Sequence, residues 1–159
     1  MRKILCAIVA ALSLTALSSA THAQSDKDIL SFRDMAGVSG PYRGPTNAIR
    51  GIPGGGANWL IDEGRGELRR DGRLRIRVRG LVLESTGANP SATFKGAVSC
   101  QTIDAAGAAA VTNVFTEEFP ATPTGDADID AVVTLPSRCF APIIFVTNAA
   151  GRWFAVTGY

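Results

Sequence analysis

ELRRDGRLRIRVRGLVL, residues 67–83, carries the plainest strand–turn–strand pattern of the chain, and its reading decides the fold. Leu74, Ile76 and Val78 alternate with Arg73, Arg75, Arg77 and Arg79. Period-two alternation with branched residues describes a strand that buries one face and wets the other. Asp71-Gly72 just before it is a hairpin signal. A two-residue loop would pair Leu68 with Arg75 and put Leu68 on the arginine face. A three-residue loop over 70–72 pairs Leu68 with Leu74 and Glu67 with Arg75, with Gly72 supplying the positive φ. The second register is preferred, because it buries Leu68 and sets opposite charges across the strands. It also sets Arg65 against Arg77, and a bulge at Gly64 or Gly66 is expected to relieve that contact.

Outward from the hairpin, the chain begins MRKILCAIVAALSLTALSSATHAQS. Arg2 and Lys3 form a basic start, residues 4–17 an apolar run, and Thr21-His22-Ala23 a small-residue cleavage pattern. This is the design of a secretory signal peptide over 1–23. The apolar run is shorter than the ~20 residues a membrane-spanning helix needs. Cys6 lies too early in it to be a lipoprotein acceptor, and no later apolar run is long enough to span as a helix.

Removing 23 of 159 residues leaves 136, the size of one domain. Lys+Arg falls from 16 to 14 against 14 Asp+Glu, so the mature chain is near neutral and nucleic-acid binding is not indicated. The only histidine, His22, leaves with the leader, and so does Cys6. Cys100 and Cys139 remain. An even cysteine count in an exported chain implies one disulfide, the other readings being two free thiols or a metal pair.

Along the mature chain, 24–45 reads as a flexible N-terminal arm with a short ordered piece at 29–32, and 46–159 as the β domain. Residues 36–57 are rich in Gly and Pro and read as loop, with a short edge strand at 47–50. Strands are expected at 58–63, in the 67–83 hairpin, and at 92–103, 111–119, 126–135, 142–147 and 152–157. The expected architecture is all-β: a single antiparallel β-sandwich of Ig-like or Greek-key type with seven to nine short strands. The stretch 24–95 carries 12 basic and 8 acidic residues, and 96–159 carries 2 and 6, so the two halves should attract.

Four constellations bear on chemistry. Asp126, Asp128 and Asp130 lie on one face of a strand. They form either a salt ladder against Arg75, Arg77 and Arg79 or a weak calcium candidate, for which the EF-hand spacing fails at Ala131 and Ser137. The arginine row itself is a candidate strip for an anionic ligand, with Trp59 as an aromatic neighbour. Gly54-Gly55-Gly56 lacks the following Lys-Ser/Thr of a phosphate cradle and reads as a flexible loop that positions Trp59 or borders a ligand groove. Trp59, Phe94, Phe145, Trp153 and Phe154 read as core, and of the adjacent Trp153 and Phe154 one is expected to face outward or into an interface. With no histidine in the mature chain, triads and zinc sites are disfavoured. Glu117-Glu118 point to opposite faces of a strand and do not make a glycosidase pair by themselves.

The segments IRGIPGGGANWLIDEGRGELRRDGRLRIRVRGLVL, AVSCQT, DADIDAVVTLPSRC and APIIFVTNAAGRWFAVTG resemble a group of small secreted bacterial proteins of no assigned function. The likeness spans residues 49–158 and implies export and a β domain, with no catalytic residues to carry over. The expected function is a non-catalytic binding or structural module of the cell envelope, periplasmic or extracellular, with no cofactor. Its expected partner is an envelope or extracellular protein or polysaccharide. The rival readings are a small secreted hydrolase using carboxylates and a small outer-membrane β-barrel.

Overall fold

The computed structural model describes residues 28–157, so the leader expected over 1–23 lies outside the described residues. Twelve strands follow in order: β1 (Asp28–Phe32), β2 (Met35–Gly37), β3 (Trp59–Leu60), β4 (Glu63–Arg69), β5 (Arg73–Arg79), β6 (Val82–Leu83), β7 (Thr93–Ile103), β8 (Ala109–Phe115), β9 (Phe119–Pro120), β10 (Ala127–Val132), β11 (Phe140–Thr147) and β12 (Trp153–Thr157). A first sheet runs β1-β4-β5-β10, a second runs β2-β12-β11-β7-β8 with β9 also on β7, and β3 and β6 form a small third pair. All the strand pairs are antiparallel. The chain crosses from one large sheet to the other between β1 and β2, β2 and β4, β5 and β7, β8 and β10, and β10 and β11, as Greek-key sandwiches do.

The hairpin takes the three-residue loop. Leu68 pairs with Leu74 and Glu67 with Arg75. Gly72 has φ +84°, and its N–H donates to the Arg69 carbonyl at 3.0 Å. Leu68, Leu74 and Val78 are fully buried and Ile76 nearly so. The expected bulge is absent: β4 and β5 stay in register from Glu63 to Leu68, with Arg65 opposite Arg77. The two guanidinium groups are long enough to diverge, and Arg65 turns along its own strand to Glu63 at 2.8 Å. Gly66 serves packing instead, since a Cβ there would come 2.8 Å from the Phe32 ring.

The two large sheets meet at Gly96, where a Cβ would come 2.9 Å from Leu74 Cδ2 and 3.1 Å from Ile76 Cδ1. Phe94, Val98, Ile144, Val146 and Ala155 complete that interface, all at 0 % exposure. Burying each large apolar side chain contributes on the order of 1.5–3 kcal/mol, so this layer dominates stability. Both sheets are open rather than closed on themselves, which overturns the barrel reading. In that reading Leu74, Ile76 and Val78 would face lipid, but they face the second sheet.

Three local expectations are corrected. The ordered piece expected at 29–32 is β1, paired with β4, but the presumed arm goes further into the sheets: β2 pairs with β12, and Phe32, Met35 and Val38 are buried. The presumed strand at 47–50 is a turn, with Ile49 bridged to Ile52, Arg50 at φ +49° and Gly51 at φ +81°. Trp153 and Phe154 are both buried, at 2 % and 5 % exposure. The reason is a register shift: Val146 opposes Ala155 and Thr147 opposes Trp153, so Phe154 is an extra residue that breaks the alternation.

The second sheet is covered on its other face as well. The Gly/Pro-rich excursion of residues 38–58 folds over it, which is why Ala97, Ser99, Phe145 and Thr147 are all at 0 % exposure. Arg50 is the clamp. One Nη1 donates to the carbonyls of Ser99 (2.9 Å) and Ala141 (2.8 Å), while the Arg50 carbonyl accepts from Asn113 Nδ2 at 3.0 Å. Partial burial lowers the pKa of its guanidinium from the ordinary value.

Candidate functional site

The outer face of the first sheet is the most chemically loaded surface. Because the even positions of β5 are buried, Arg73, Arg75, Arg77 and Arg79 project outward together. β10 pairs beside them with Asp130 opposite Arg75 and Asp128 opposite Arg77, which is the salt ladder expected from the sequence. Side-chain contacts run diagonally to that register. Asp130 accepts from Arg73 Nε at 3.0 Å and Nη2 at 2.8 Å, and from Arg75 Nε at 3.3 Å. Asp128 accepts twice from Arg79 Nη2, at 3.0 Å each, and lies 4.0 Å from Arg77 Nε. Glu67 pairs with Arg69 at 2.9 Å and Arg75 at 3.3 Å. The hydrogen bond from Arg73 holds the Asp130 carboxyl below its ordinary pKa, and Asp130 in turn raises Arg73.

A groove of about 460 Å³ opens on this face, bordered by Arg33, Arg65, Arg75 and Arg77 and by Glu67, Asp128 and Asp130. Its acids are mostly committed to arginines at its margin: Asp130 to Arg73, Asp128 to Arg79, Glu67 to Arg69. Arg77 is left with one distant carboxylate, and Arg65 leans away to Glu63. Arg33 makes no ion pair among the described residues. Positive charge is therefore in excess in the middle of the groove, flanked by neutralised pairs. Exposed guanidinium groups in that arrangement suit a carboxylate, sulfate or phosphate, which they can meet with paired N–H donors.

Of the residues singled out from the sequence, Arg75, Arg77 and Arg79 stand on this face. Trp59 does not: it is buried, stacks on Phe154 (centroids 3.8 Å apart, planes 16°) and meets Phe94 edge-on at 6.5 Å. The glycine loop lies against Trp59, a Cβ on Gly55 coming 3.3 Å from its Nε1, which is one of the two readings the sequence allowed. Gly54 bridges to Trp153, the Gly55 N–H donates to the Trp153 carbonyl at 2.8 Å, and a Cβ on Gly55 would come 3.0 Å from the Phe154 ring. Its glycines allow backbone to lie against backbone and ring.

The calcium candidate is also corrected. Asp126 sits apart from the ladder, accepting from the Gly80 N–H at 3.0 Å and Thr124 Oγ1 at 3.2 Å. Asp128 and Asp130 point at arginines. No group of three His, Cys, Asp or Glu residues able to hold a metal ion occurs among the described residues. Cys100 and Cys139 are bonded, closing a sequence separation of 39 residues.

Arg33 and Arg65 were not singled out from the sequence. Arg65 was visible as an outward residue of the same hairpin. Arg33 joins them only because β1 docks on β4, a pairing that no local pattern announces. No protein-family model, curated protein or solved structure matches this chain. Among the described residues no helix is long and apolar enough to cross a membrane.

Proposed function

We propose that the protein is an exported, non-catalytic binding module of the bacterial cell envelope, and that its arginine groove takes an anionic polysaccharide. The carrying observation is the convergence of Arg33, Arg65 and Arg77 on one groove whose acids are held by other arginines. Export is supported by the leader pattern of residues 1–23 and by the disulfide. An open strip along a sheet suits a linear polymer better than a small molecule, which needs a concave site that encloses most of its surface.

The hydrolase reading loses ground on the same geometry. Carboxylate-pair glycosidases need one acid kept protonated beside one ionised. Of the groove carboxylates, Asp130 is held in the ionised form by its hydrogen bond from Arg73.

The test is calorimetric titration of the oxidised protein with a sulfated polysaccharide and with polyphosphate, at low and at high salt. Binding is expected to weaken steeply with salt and to fall at least tenfold in the Arg33→Ala/Arg65→Ala/Arg77→Ala variant. Binding that ignores both salt and these substitutions sinks the reading. Binding of an acidic protein in place of either polymer would redirect it to a protein partner.

A further inference from the structure

Among the described residues the second sheet ends in an uncovered edge, and we infer that β8 pairs there with β8 of a second copy of this chain. The other edges are protected. β1 carries a register irregularity between Asp28 and Leu30, β2 is three residues long, and β10 carries the exposed charges of Asp128 and Asp130. β8 has none of these devices. It runs seven residues, AAVTNVF, with no charge and no proline, and stays in unbroken register with β7 from Ala109 to Phe115.

The free groups of this edge can be assigned. The Thr116 N–H donates to the Gly96 carbonyl and the Ala108 carbonyl accepts from Asp104, both toward β7. By the antiparallel alternation, even-numbered residues address β7, and Ala109, Val111, Asn113 and Phe115 direct N–H and C=O away from it. A two-fold axis through Thr112 pairs Val111 with Asn113 and Ala109 with Phe115 of the second copy. That register joins odd residues to odd residues, as the hydrogen-bonding requires.

Side chains fit the same register. Phe115 is 41 % exposed and sits on the outer face with Val111, which is 46 % exposed. Its counterpart across the axis is Ala109, the smallest side chain available. Beside Ala109 lies a groove of about 550 Å³ bordered by Gln101, Ile103, Val111 and Phe140. Ile103 and Phe140 are 43 % and 51 % exposed. The Phe115 ring of each copy would enter the groove of the other, so one strand carries both the knob and the hole. With no charge on the strand itself and a single cation, Lys95, over the Phe115 ring at 5.7 Å, pairing depends little on salt, which separates it from ligand binding on the arginine face.

The test is sedimentation and residue-level hydrogen exchange on the oxidised protein from micromolar to millimolar concentration. The expected result is a salt-insensitive monomer–dimer equilibrium. The amides of Val111 and Asn113 should become protected as concentration rises, while those of Thr112 and Val114 stay protected throughout. Phe115→Ala is expected to weaken the dimer about tenfold, the scale of a lost aromatic contact. Val111→Pro should abolish it with β7–β8 intact, because the N–H it removes points outward. A monomer at all concentrations, or Val111 and Asn113 amides whose exchange ignores concentration, overturns the inference. The exchange measurement needs no variant to fold.

Discussion

Asp128 lies opposite Arg77 in the β5–β10 ladder, and yet its carboxylate is held by Arg79, at 3.0 Å against 4.0 Å to Arg77. The register decides which backbones meet. The length of the arginine side chain decides which charges do. Arg79 is anchored by carbonyls as well, its Nη1 donating to Val78 at 2.6 Å and Ala127 at 3.1 Å.

Replacing these two arginines should therefore separate function from stability. Arg77→Ala is expected to change unfolding free energy by no more than about 0.5 kcal/mol, as for a solvated surface charge. Arg79→Ala should cost about 1–2 kcal/mol through the lost carbonyl hydrogen bonds. Urea unfolding of both variants compares them directly, and equal losses would contradict the diagonal assignment.

Acid should weaken the ladder at Asp130. Its folded pKa lies below the ordinary 3.8, chiefly through the Arg73 hydrogen bond. A depressed carboxyl contributes stability above its unfolded pKa and loses that contribution as pH falls through the folded value. The stability gap between the natural protein and Asp130→Asn should thus be constant above about pH 5 and close as pH drops below the ordinary carboxyl value. Urea midpoints across the acid range give the profile, and a gap that widens in acid would reverse the sign.

The disulfide constrains the unfolded chain across the second sheet. Cys100 is fully buried on β7, and Cys139 precedes β11. Replacing both by alanine should cost about 3–4 kcal/mol on the chain-entropy account of a 39-residue separation. Denaturation of oxidised and double-alanine proteins side by side reads this, and equal midpoints would show that the loop is held closed without the bond.

The glycine run should be sharply position-dependent. A Cβ on Gly54 would fall 2.0 Å from the Tyr42 carbonyl oxygen, whereas one on Gly56 meets nothing within 4 Å. Gly54→Ala is expected to destabilise by more than about 2 kcal/mol, in the range of overpacked cores. Gly56→Ala should stay within about 0.5 kcal/mol. Equal thermal shifts for the two variants would restore the picture of a loose loop.

Much of the fold was legible because its signals are local. Period-two burial over 74–78 and 127–133, Gly72 at the turn and the cysteine pair each depend on neighbours in sequence. Those readings hold: the hairpin register, the ladder of Asp128 and Asp130 against the arginines, and the Cys100–Cys139 bond follow them. The place of Trp59 on the arginine strip and the outward member of the 153–154 pair were misread because each is set by distant partners. A tryptophan beside a glycine loop looks available for a ligand until Phe154, nearly a hundred residues later, stacks on it.

By itself, then, the sequence determined an all-β chain, its central hairpin, its charged outer face and its single disulfide, because alternation and turn chemistry act over a few residues. Only the tertiary structure decided that β1 brings Arg33 to the groove, that Arg50 clamps an excursion over the second sheet, and that β8 forms an edge of that sheet. Those outcomes depend on strand order, and strand order is chosen by burial summed over the whole core rather than by any stretch of it.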